Sequence, residues 1–310
     1  MTTFDGKIRG PNPHQEAHAA GTSSVDFAAH VRPEQISVGV LKNIEAAQVT
    51  LYALRQREPL CVVIKHKNAC AATLGGTPLE ALMKTIDSTP ATQSGVVAIN
   101  TTCTAIMAEQ LIEKLPSVAA ILAHNYDPEA LTLLASKKII VCTNKPFTPS
   151  KIQTTEVLGL QVKHSTDTTD ITEHELHTHT KQKPDEAAIA DLTLGMNLVR
   201  VLESNAIAIV ANGAVIAIGK STESRTDAIH EALRKVQLYK KRHPDQVIDA
   251  YTLSSDASIS ESDFTLITAS NQPIRHIAVP FEAKTTPAIT TRADRNGMSL
   301  STLPTRHLST

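Results

Sequence analysis

The sequence contains no tryptophan, and aromatic residues make up only 3% of its 310 positions. A ligand pocket in this protein therefore has few rings against which a planar ligand can stack. Net charge is also nearly absent, because 30 basic residues stand against 31 acidic ones. Without a positive field or a basic block, nucleic acid and anionic membrane surfaces are not expected partners, and a small-molecule substrate is favoured.

Cysteine and long apolar runs are scarce as well. The four cysteines form no closely spaced pairs and no C-x-x-C motif, which indicates reduced core thiols rather than a disulfide framework. The first residues lack a basic segment followed by an apolar one, and no apolar run approaches the roughly 20 residues that cross a bilayer. We therefore expect a cytoplasmic protein.

The order of apolar and amphipathic segments predicts an α/β fold. Short apolar runs alternate with segments of helical periodicity, which is typical of a sheet covered by helices. In the first half we predict strands at 61–65, 95–99, 118–123 and 138–143, and helices at 44–57, 78–86, 102–114 and 128–136. A polar, threonine-rich stretch over 148–183 then precedes a repeat of the same rhythm. We predict two domains, 1–180 and 181–310.

In the second half the strongest local signal is the pair Asn212-Gly213 between two apolar runs. A type I′ turn needs positive φ at both central positions, so this pair predicts a β-hairpin. The other predicted elements of this half are helices at 184–201 and 226–239 and strands at 251–256, 276–280 and 298–302.

Several functional motifs are incomplete or missing. The tetrapeptide at 219–222 follows a strand, but a phosphate-binding loop needs glycine where Ala214 stands. The cluster of His174, His177 and His179 ends in an alternation with threonine, which indicates an exposed strand edge more than a metal site. The zinc-deaminase signature, the G-x-S-x-G elbow and the G-x-G-x-x-G fingerprint are all absent. No metal ion is expected to take part in catalysis.

The most informative segment is Lys65-His66-Lys67-Asn68, which follows directly on the apolar run 61–64. It places a cation and an imidazole where a buried strand ends, and α/β proteins bind their ligands at such positions. Neighbouring side chains in a strand point to opposite faces, so Lys65 and His66 can serve one site only if the strand ends there. We predict that the chain continues as a loop over 69–76.

Seven fragments in one order resemble the AICAR transformylase family, where AICAR is 5-aminoimidazole-4-carboxamide ribonucleotide. They lie at 10–15, 65–70, 94–100, 203–206, 219–225, 255–257 and 306–307. The resemblance covers nearly the whole chain, and the cyclohydrolase domain that usually precedes this one has no counterpart in the sequence. It implies two cytidine-deaminase-like α/β/α three-layer domains without zinc. It also implies a homodimer with active sites at the subunit interface.

The resemblance further implies roles for ten residues. The expected catalytic residues are Lys65, His66 and Asn205. The expected substrate-binding residues are Arg9, Asn68, Ser94 and Arg306. The expected contacts to the cofactor, 10-formyltetrahydrofolate, are Arg225, Asp256 and Asp263.

Other positions depart from the family pattern. A substrate-side aspartate is replaced by Ala119, a Gly-Ala-Gly-Gln stretch by 219–222, and a Phe-Phe-Pro-Phe run by 258–261. Glycines let the backbone approach a ligand closely, and each stacking ring adds about 0.5–1.5 kcal/mol beyond its buried area. These losses predict weak affinity for the substrates of the family.

The resemblance therefore implies a divergent formyltransferase, which moves a formyl group from 10-formyltetrahydrofolate to the amine of an AICAR-like substrate. His66 would take the proton of the amine. Lys65 would stabilise the developing oxyanion or set the protonation state of the imidazole. Arg306, together with Arg9, would hold a phosphate. The alternatives are a folate-independent cyclisation or hydrolysis at the same pair, and a non-catalytic metabolite-binding protein.

Overall fold

The computed structural model describes residues 2–12, 14–55, 58–282, 284 and 286–307. Its strands are β1 (Thr3–Arg9), β2 (Glu16–Thr22), β3 (Val25–Phe27), β4 (Leu60–Lys65), β5 (Asn68–Leu74), β6 (Ser94–Cys103), β7 (Ser117–Tyr126), β8 (Ile140–Asn144), β9 (Ile152–Val157), β10 (Leu160–Ser165), β11 (His177–Thr178), β12 (Ile207–Ala211), β13 (Ala214–Gly219), β14 (Tyr251–Ser255), β15 (Ile274–Pro280) and β16 (Ser299–Leu303). Its helices are α1 (Val38–Leu54), α2 (Pro78–Ser88), α3 (Ala105–Lys114), α4 (Pro128–Ser136), α5 (Glu186–Val199), α6 (Arg225–Arg242), α7 (Glu261–Ala269) and α8 (Thr286–Arg295).

A single mixed sheet of twelve strands runs through the molecule. The strand order is β11-β16-β15-β14-β12-β13-β5-β4-β6-β7-β8-β3. The halves meet where β13 pairs with β5 at Ala214 and Thr73, and where the amide of Leu74 donates to the carbonyl of Gly213 at 2.7 Å. The predicted mixed α/β class is confirmed. The division into two domains and the likeness to cytidine deaminases remain predictions.

Helices cover both faces of this sheet. Helices α1 and α5 share a core with one face, across both halves. On the other face, α2, α3 and α4 pack on the first half and α6, α7 and α8 on the second. The central strands are therefore buried on both sides, which explains their nearly continuous apolar runs. No helix among the described residues is long and apolar enough to span a bilayer.

Two local predictions have opposite outcomes. The hairpin at Asn212-Gly213 is confirmed: it joins β12 to β13, and both residues have positive φ, 54° and 73°. The predicted loop over 69–76 is wrong, because Asn68–Leu74 form β5, which pairs with β4. The run of small residues in β5 has little intrinsic strand preference, but burial between β4 and β13 stabilises it as a strand.

Candidate active site

The Lys-His segment forms the turn of the β4–β5 hairpin. Lys65 pairs with Asn68, and the two residues between them, His66 and Lys67, have φ of 52° and 65°. Positive φ at both central positions is the type I′ geometry, unusual without glycine or asparagine. Two contacts hold it: the amide of Lys67 donates to Oδ1 of Asn43 at 2.8 Å, and Asn68 Nδ2 donates to the carbonyl of His66 at 3.1 Å. The strand thus ends at Lys65, and the imidazole is exposed at the hairpin tip.

The start of β6 packs tightly against the end of β4. Gly95 has φ of 109°, and a Cβ at this position would lie 2.3 Å from the carbonyl oxygen of Ile64 and 3.6 Å from Cβ of Lys65. Only glycine fits this approach and this φ. Ser94, half-buried, is therefore held beside the strand end that carries Lys65.

Glu203 connects this turn to the second half of the chain. Its carboxylate lies 3.9 Å from Nζ of Lys67 and accepts a hydrogen bond of 2.7 Å from Ser221. The Ser221 hydroxyl lowers the pKa of Glu203, and Lys220 and Asn68 act in the same direction. The carboxylate is therefore ionised at neutral pH and fixed between the hairpin and the end of β13.

Two residues beyond Glu203, Asn205 belongs to a polar network around the buried Asp256. Arg225 Nη2 donates to Oδ1 of Asn205 at 2.9 Å and to Oδ1 of Asp256 at 3.2 Å. Asn205 Nδ2 donates to the carbonyl of Thr222 at 3.0 Å. Asp256, only 1% exposed, also accepts a hydrogen bond from Ser204. The structure therefore brings the catalytic prediction Asn205 together with the cofactor-binding predictions Arg225 and Asp256.

The other cofactor-binding prediction, Asp263, has its oxygens engaged inside the fold. Oδ2 accepts from the amide and hydroxyl of Ser260 at the start of α7, and Oδ1 accepts from Thr226 at 2.8 Å. A reciprocal bond from the amide of Asp263 to Ser260 completes a capping box. The side chain is buried, and its geometry is that of a helix cap.

The predicted phosphate-binding arginines make none of the described hydrogen bonds of this network. Arg9 ends β1, and its Nη2 donates to the carbonyl of Gln35 at 2.5 Å. It lines an open cavity of about 710 Å³ together with His14 and Gln15 of the β1–β2 connection. Arg306 is exposed near the end of the chain. Pro13, within the family fragment 10–15, lies outside the described residues.

Beyond Asn68, residues of strand β5 line a cavity of about 320 Å³, which lies between α6 and the junction of the halves. Its apolar walls include Ala69 and Ile218, and its basic side chains are Lys220, Lys235, Lys241 and Arg242. Burial lowers the pKa of Lys220. The cavity is therefore suited to an anion attached to an apolar body.

Cys70 also lines this cavity, but its thiol is not poised for chemistry. Burial raises the pKa of Cys70 to about 11, although Lys65, Lys235 and Lys220 act in the opposite direction. The thiolate is the nucleophilic form, so this cysteine is unreactive at neutral pH. Among the described residues, no group of three or more histidine, cysteine, aspartate or glutamate side chains could hold a metal ion.

Sequence reasoning missed Glu203, Asn43 and Ser204. Glu203 and Ser204 belong to a fragment that carries the resemblance, 203–206, and this position next to Asn205 was a usable signal. Asn43 lies in α1 and reaches the hairpin across 24 positions of sequence. No local pattern predicts such a contact.

This arrangement defines an α/β protein with a candidate site at the β4–β5 turn, which Lys67 connects to Glu203 and so to the segment that contains Asn205. The sequence family described as AICARFT/IMPCHase bienzyme matches residues 6–235, and the chain belongs to this family. The resemblance inferred from the seven fragments is thereby confirmed.

Curated relatives share the same name, bifunctional purine biosynthesis protein PurH. The protein of Clostridium perfringens is 29% identical over 234 residues, which are 73% of this chain and 45% of the relative. That of Cereibacter sphaeroides is 28% identical over 238 residues, 74% of this chain and 45% of the relative. That of Leuconostoc mesenteroides is 29% identical over 315 aligned positions, 98% of this chain and 59% of the relative. The chain spans about half the length of these relatives.

Proposed function

We propose that this protein is a cytoplasmic formyltransferase, which moves a formyl group from 10-formyltetrahydrofolate to the amine of a small AICAR-like substrate. The observation that carries this proposal is the β4–β5 turn, which places the cation Lys65 and the exposed imidazole of His66 together at the end of a buried strand. Lys67 of the same turn lies 3.9 Å from Glu203, which precedes the ordered amide of Asn205 by two residues. Membership of a family described by transformylase and cyclohydrolase activities supports an enzyme of this class.

In the proposed reaction, His66 accepts the proton that the amine loses as its nitrogen bonds to the formyl carbon. Lys65 donates a hydrogen bond to the formyl oxygen, where negative charge develops. When the bond from the formyl carbon to the folate nitrogen breaks, His66 returns the proton to that nitrogen. A positioned base contributes about 10²–10⁴-fold to such a step. No net charge or electron is gained or lost.

The remaining residues would bind and orient the two substrates. Asn205, held by Arg225, would orient the amine, and Asn68 and Ser94 would line the acceptor side beside Lys65. Arg225 and Asp256 would contact the folate, and the basic cavity beyond Cys70 suits a flat molecule ending in carboxylates. Asp263 would act on the folate side indirectly, by holding the start of α7 through its helix cap.

We also propose that the protein is a homodimer. The β9–β10 hairpin forms a separate two-stranded sheet whose residues are all exposed. An isolated two-stranded hairpin is marginally stable in water. Val157, Leu160 and Val162 lie on one face of it, because Leu160 pairs with Val157 and Val162 with Thr155. A second copy covering this face, and bringing Arg9 or Arg306 toward the exposed His66, would complete the site. Each copy would consist of two cytidine-deaminase-like domains.

A second candidate is a homologue with changed chemistry or a purely binding role. The observation in its favour is Lys220, which replaces a small residue of the family pattern and introduces a half-buried cation at the cavity. Such a site could bind an anionic metabolite without transferring a formyl group.

Binding measurements distinguish the two candidates. Thermal unfolding is followed with 10-formyltetrahydrofolate and with AICAR separately. A ligand at about 100 times its dissociation constant stabilises the native state by about 2.7 kcal/mol. We expect stabilisation by both, and release of tetrahydrofolate when they are combined. Stabilisation by AICAR but by no folate would exclude formyl transfer and favour the second candidate.

A further inference from the structure

A second group of polar side chains lies at the end of the strands away from the Lys-His hairpin. Strands β6, β7 and β8 are parallel, and polar residues follow the apolar run of each strand, among them Asn100, His124 and Asn144. The register aligns Ile99 with Ala123 and Ala123 with Thr143, but it shifts after Ile99, so that Thr102 pairs with Asn125. Asn100, His124 and Asn144 nevertheless line one cleft, and we call these three residues the row. Ligands of open α/β sheets bind at the carboxyl ends of parallel strands.

The row faces helix α1. The residues two positions before each member, Ala98, Leu122 and Cys142, belong to the core under α1, and side chains two apart share a face. Opposite the row, α1 carries Gln48, which is only 2% exposed and donates to Oδ1 of Asn144 at 3.0 Å. Because both amides are buried and joined by this hydrogen bond, each is held in one orientation, as a binding site requires.

A cleft of about 310 Å³ lies between α1 and this row. Its walls include Tyr52 and Phe147, whose rings pack edge to face with centroids 6.0 Å apart. The whole sequence has nine such rings, five phenylalanines and four tyrosines, so a pair lining one polar cleft is a notable concentration. The volume is at the lower limit of small-molecule sites.

The charges and hydrogen bonds of the cleft indicate what it could hold. Its cations are already compensated: Lys145 pairs with Asp26 at 2.6 Å, and Arg55 lies over the Tyr52 ring at 4.2 Å. A strongly charged ligand is therefore not required. In contrast, the hydroxyl oxygen of Thr101 is buried and has no hydrogen-bond partner among the described residues. Partial burial lowers the pKa of His124, which favours its neutral form with one donor and one acceptor nitrogen.

We propose that this cleft binds a planar heteroaromatic molecule of nucleobase size, with its ring beside Phe147 and its polar edge on Thr101, His124 and Asn144. A ligand edge with alternating donors and acceptors can form hydrogen bonds with the Thr101 hydroxyl, the His124 imidazole and the Asn144 amide at the same time. A phenyl ring would leave them unsatisfied at a cost of binding energy. Because β4 runs antiparallel to β6, this site lies at the opposite end of the strands from Lys65. The proposal is independent of formyl transfer.

Saturation-transfer NMR and calorimetry with adenine, hypoxanthine and cytosine test this site, with benzyl alcohol as a ring that has no donor or acceptor atom of its own. We expect at least one base to bind with a Kd below about 1 mM, and benzyl alcohol to bind at least about tenfold more weakly. Thr101→Val removes only the unpartnered hydroxyl and should weaken binding about tenfold. The matched control Thr132→Val makes the same change on the exposed side of α4 and should leave binding unchanged.

Three results would overturn the proposal. One is that no base binds, and another is that Thr101→Val binds the bases as the wild type does. The third is that His66→Asn abolishes their binding, because the bases would then occupy the candidate active site instead. Formyl transfer can succeed or fail without changing any of these results, so the two proposals are tested separately.

Discussion

Arg225 is bound to Asp256 at 3.2 Å, and this carboxylate is almost completely buried. Removing one partner of a buried ion pair costs about 3–5 kcal/mol, because the other charge is left uncompensated. Arg225→Met should therefore lower the free energy of unfolding by about that amount. Urea denaturation measures it.

The double variant Arg225→Met/Asp256→Asn is the control for this pair. Asparagine at position 256 removes the uncompensated charge, so the double variant should be more stable than Arg225→Met alone. The single variant Asp256→Asn is measured as well. If the double variant loses as much free energy of unfolding as the two single variants lose in sum, the two side chains do not act as a pair.

Gly95 gives a second prediction about stability. Gly95→Ala should destabilise the fold by about 2–5 kcal/mol, because the new Cβ overlaps the carbonyl of Ile64 and the φ of 109° is strained for alanine. Gly21 has a similar φ of 118° but open space around its Cβ position. Gly21→Ala should therefore cost only the strain, about 1–3 kcal/mol. Equal losses in the two variants would refute the close approach of β6 to β4.

Asp191 predicts a dependence of stability on pH. Burial raises the pKa of this carboxyl from 3.8 to about 6, while its Oδ1 accepts a hydrogen bond from the amide of Gly213. The folded state thus favours the protonated form, and the resulting stability is present below the unfolded pKa and lost as pH rises through about 6. Asp191→Asn keeps the acceptor oxygen and cannot ionise.

The advantage of Asp191→Asn over the wild type should therefore grow by about 1 kcal/mol between about pH 5 and about pH 8. Chemical denaturation at both pH values measures this difference. An advantage that stays constant, or that shrinks as pH rises, would contradict the assignment.

The β9–β10 hairpin predicts the oligomeric state. Leu160→Glu places a charge on its apolar face and should convert the proposed dimer into monomers in sedimentation experiments. Gln161 lies on the opposite face, so Gln161→Glu should remain dimeric. A wild-type protein that sediments as a monomer, or equal effects of both variants, would exclude this face as the interface.

The sequence predicted elements well where local chemistry decides the structure. Helix α4 was predicted with its observed bounds, because a proline at its first position and a regular apolar face mark it. The turn at Asn212-Gly213 follows from its φ requirement alone. Strand β5 was missed because tertiary burial, not residue preference, makes it a strand.

The candidate site was predictable in part. The pair Lys65 and His66 was found from its place after a buried strand, and Asn205 from a family fragment. The contact of Lys67 with Glu203 joins residues more than a hundred positions apart, and only the fold determines it. The capping box of Ser260 and Asp263 has the local pattern Ser-x-x-Asp and was predictable, whereas the bond from Thr226 to Asp263 depends on the placement of α7 beside α6.

The central claim is that His66 acts as the base of formyl transfer, and one comparison tests it directly. His66 and Lys67 both have positive φ, which asparagine tolerates, so His66→Asn and Lys67→Asn each keep the hairpin. Formyl transfer to AICAR is measured for both variants. We predict that His66→Asn lowers the rate by about 10²–10⁴-fold and Lys67→Asn by less than about tenfold. Equal rates in His66→Asn and the wild type would contradict the account.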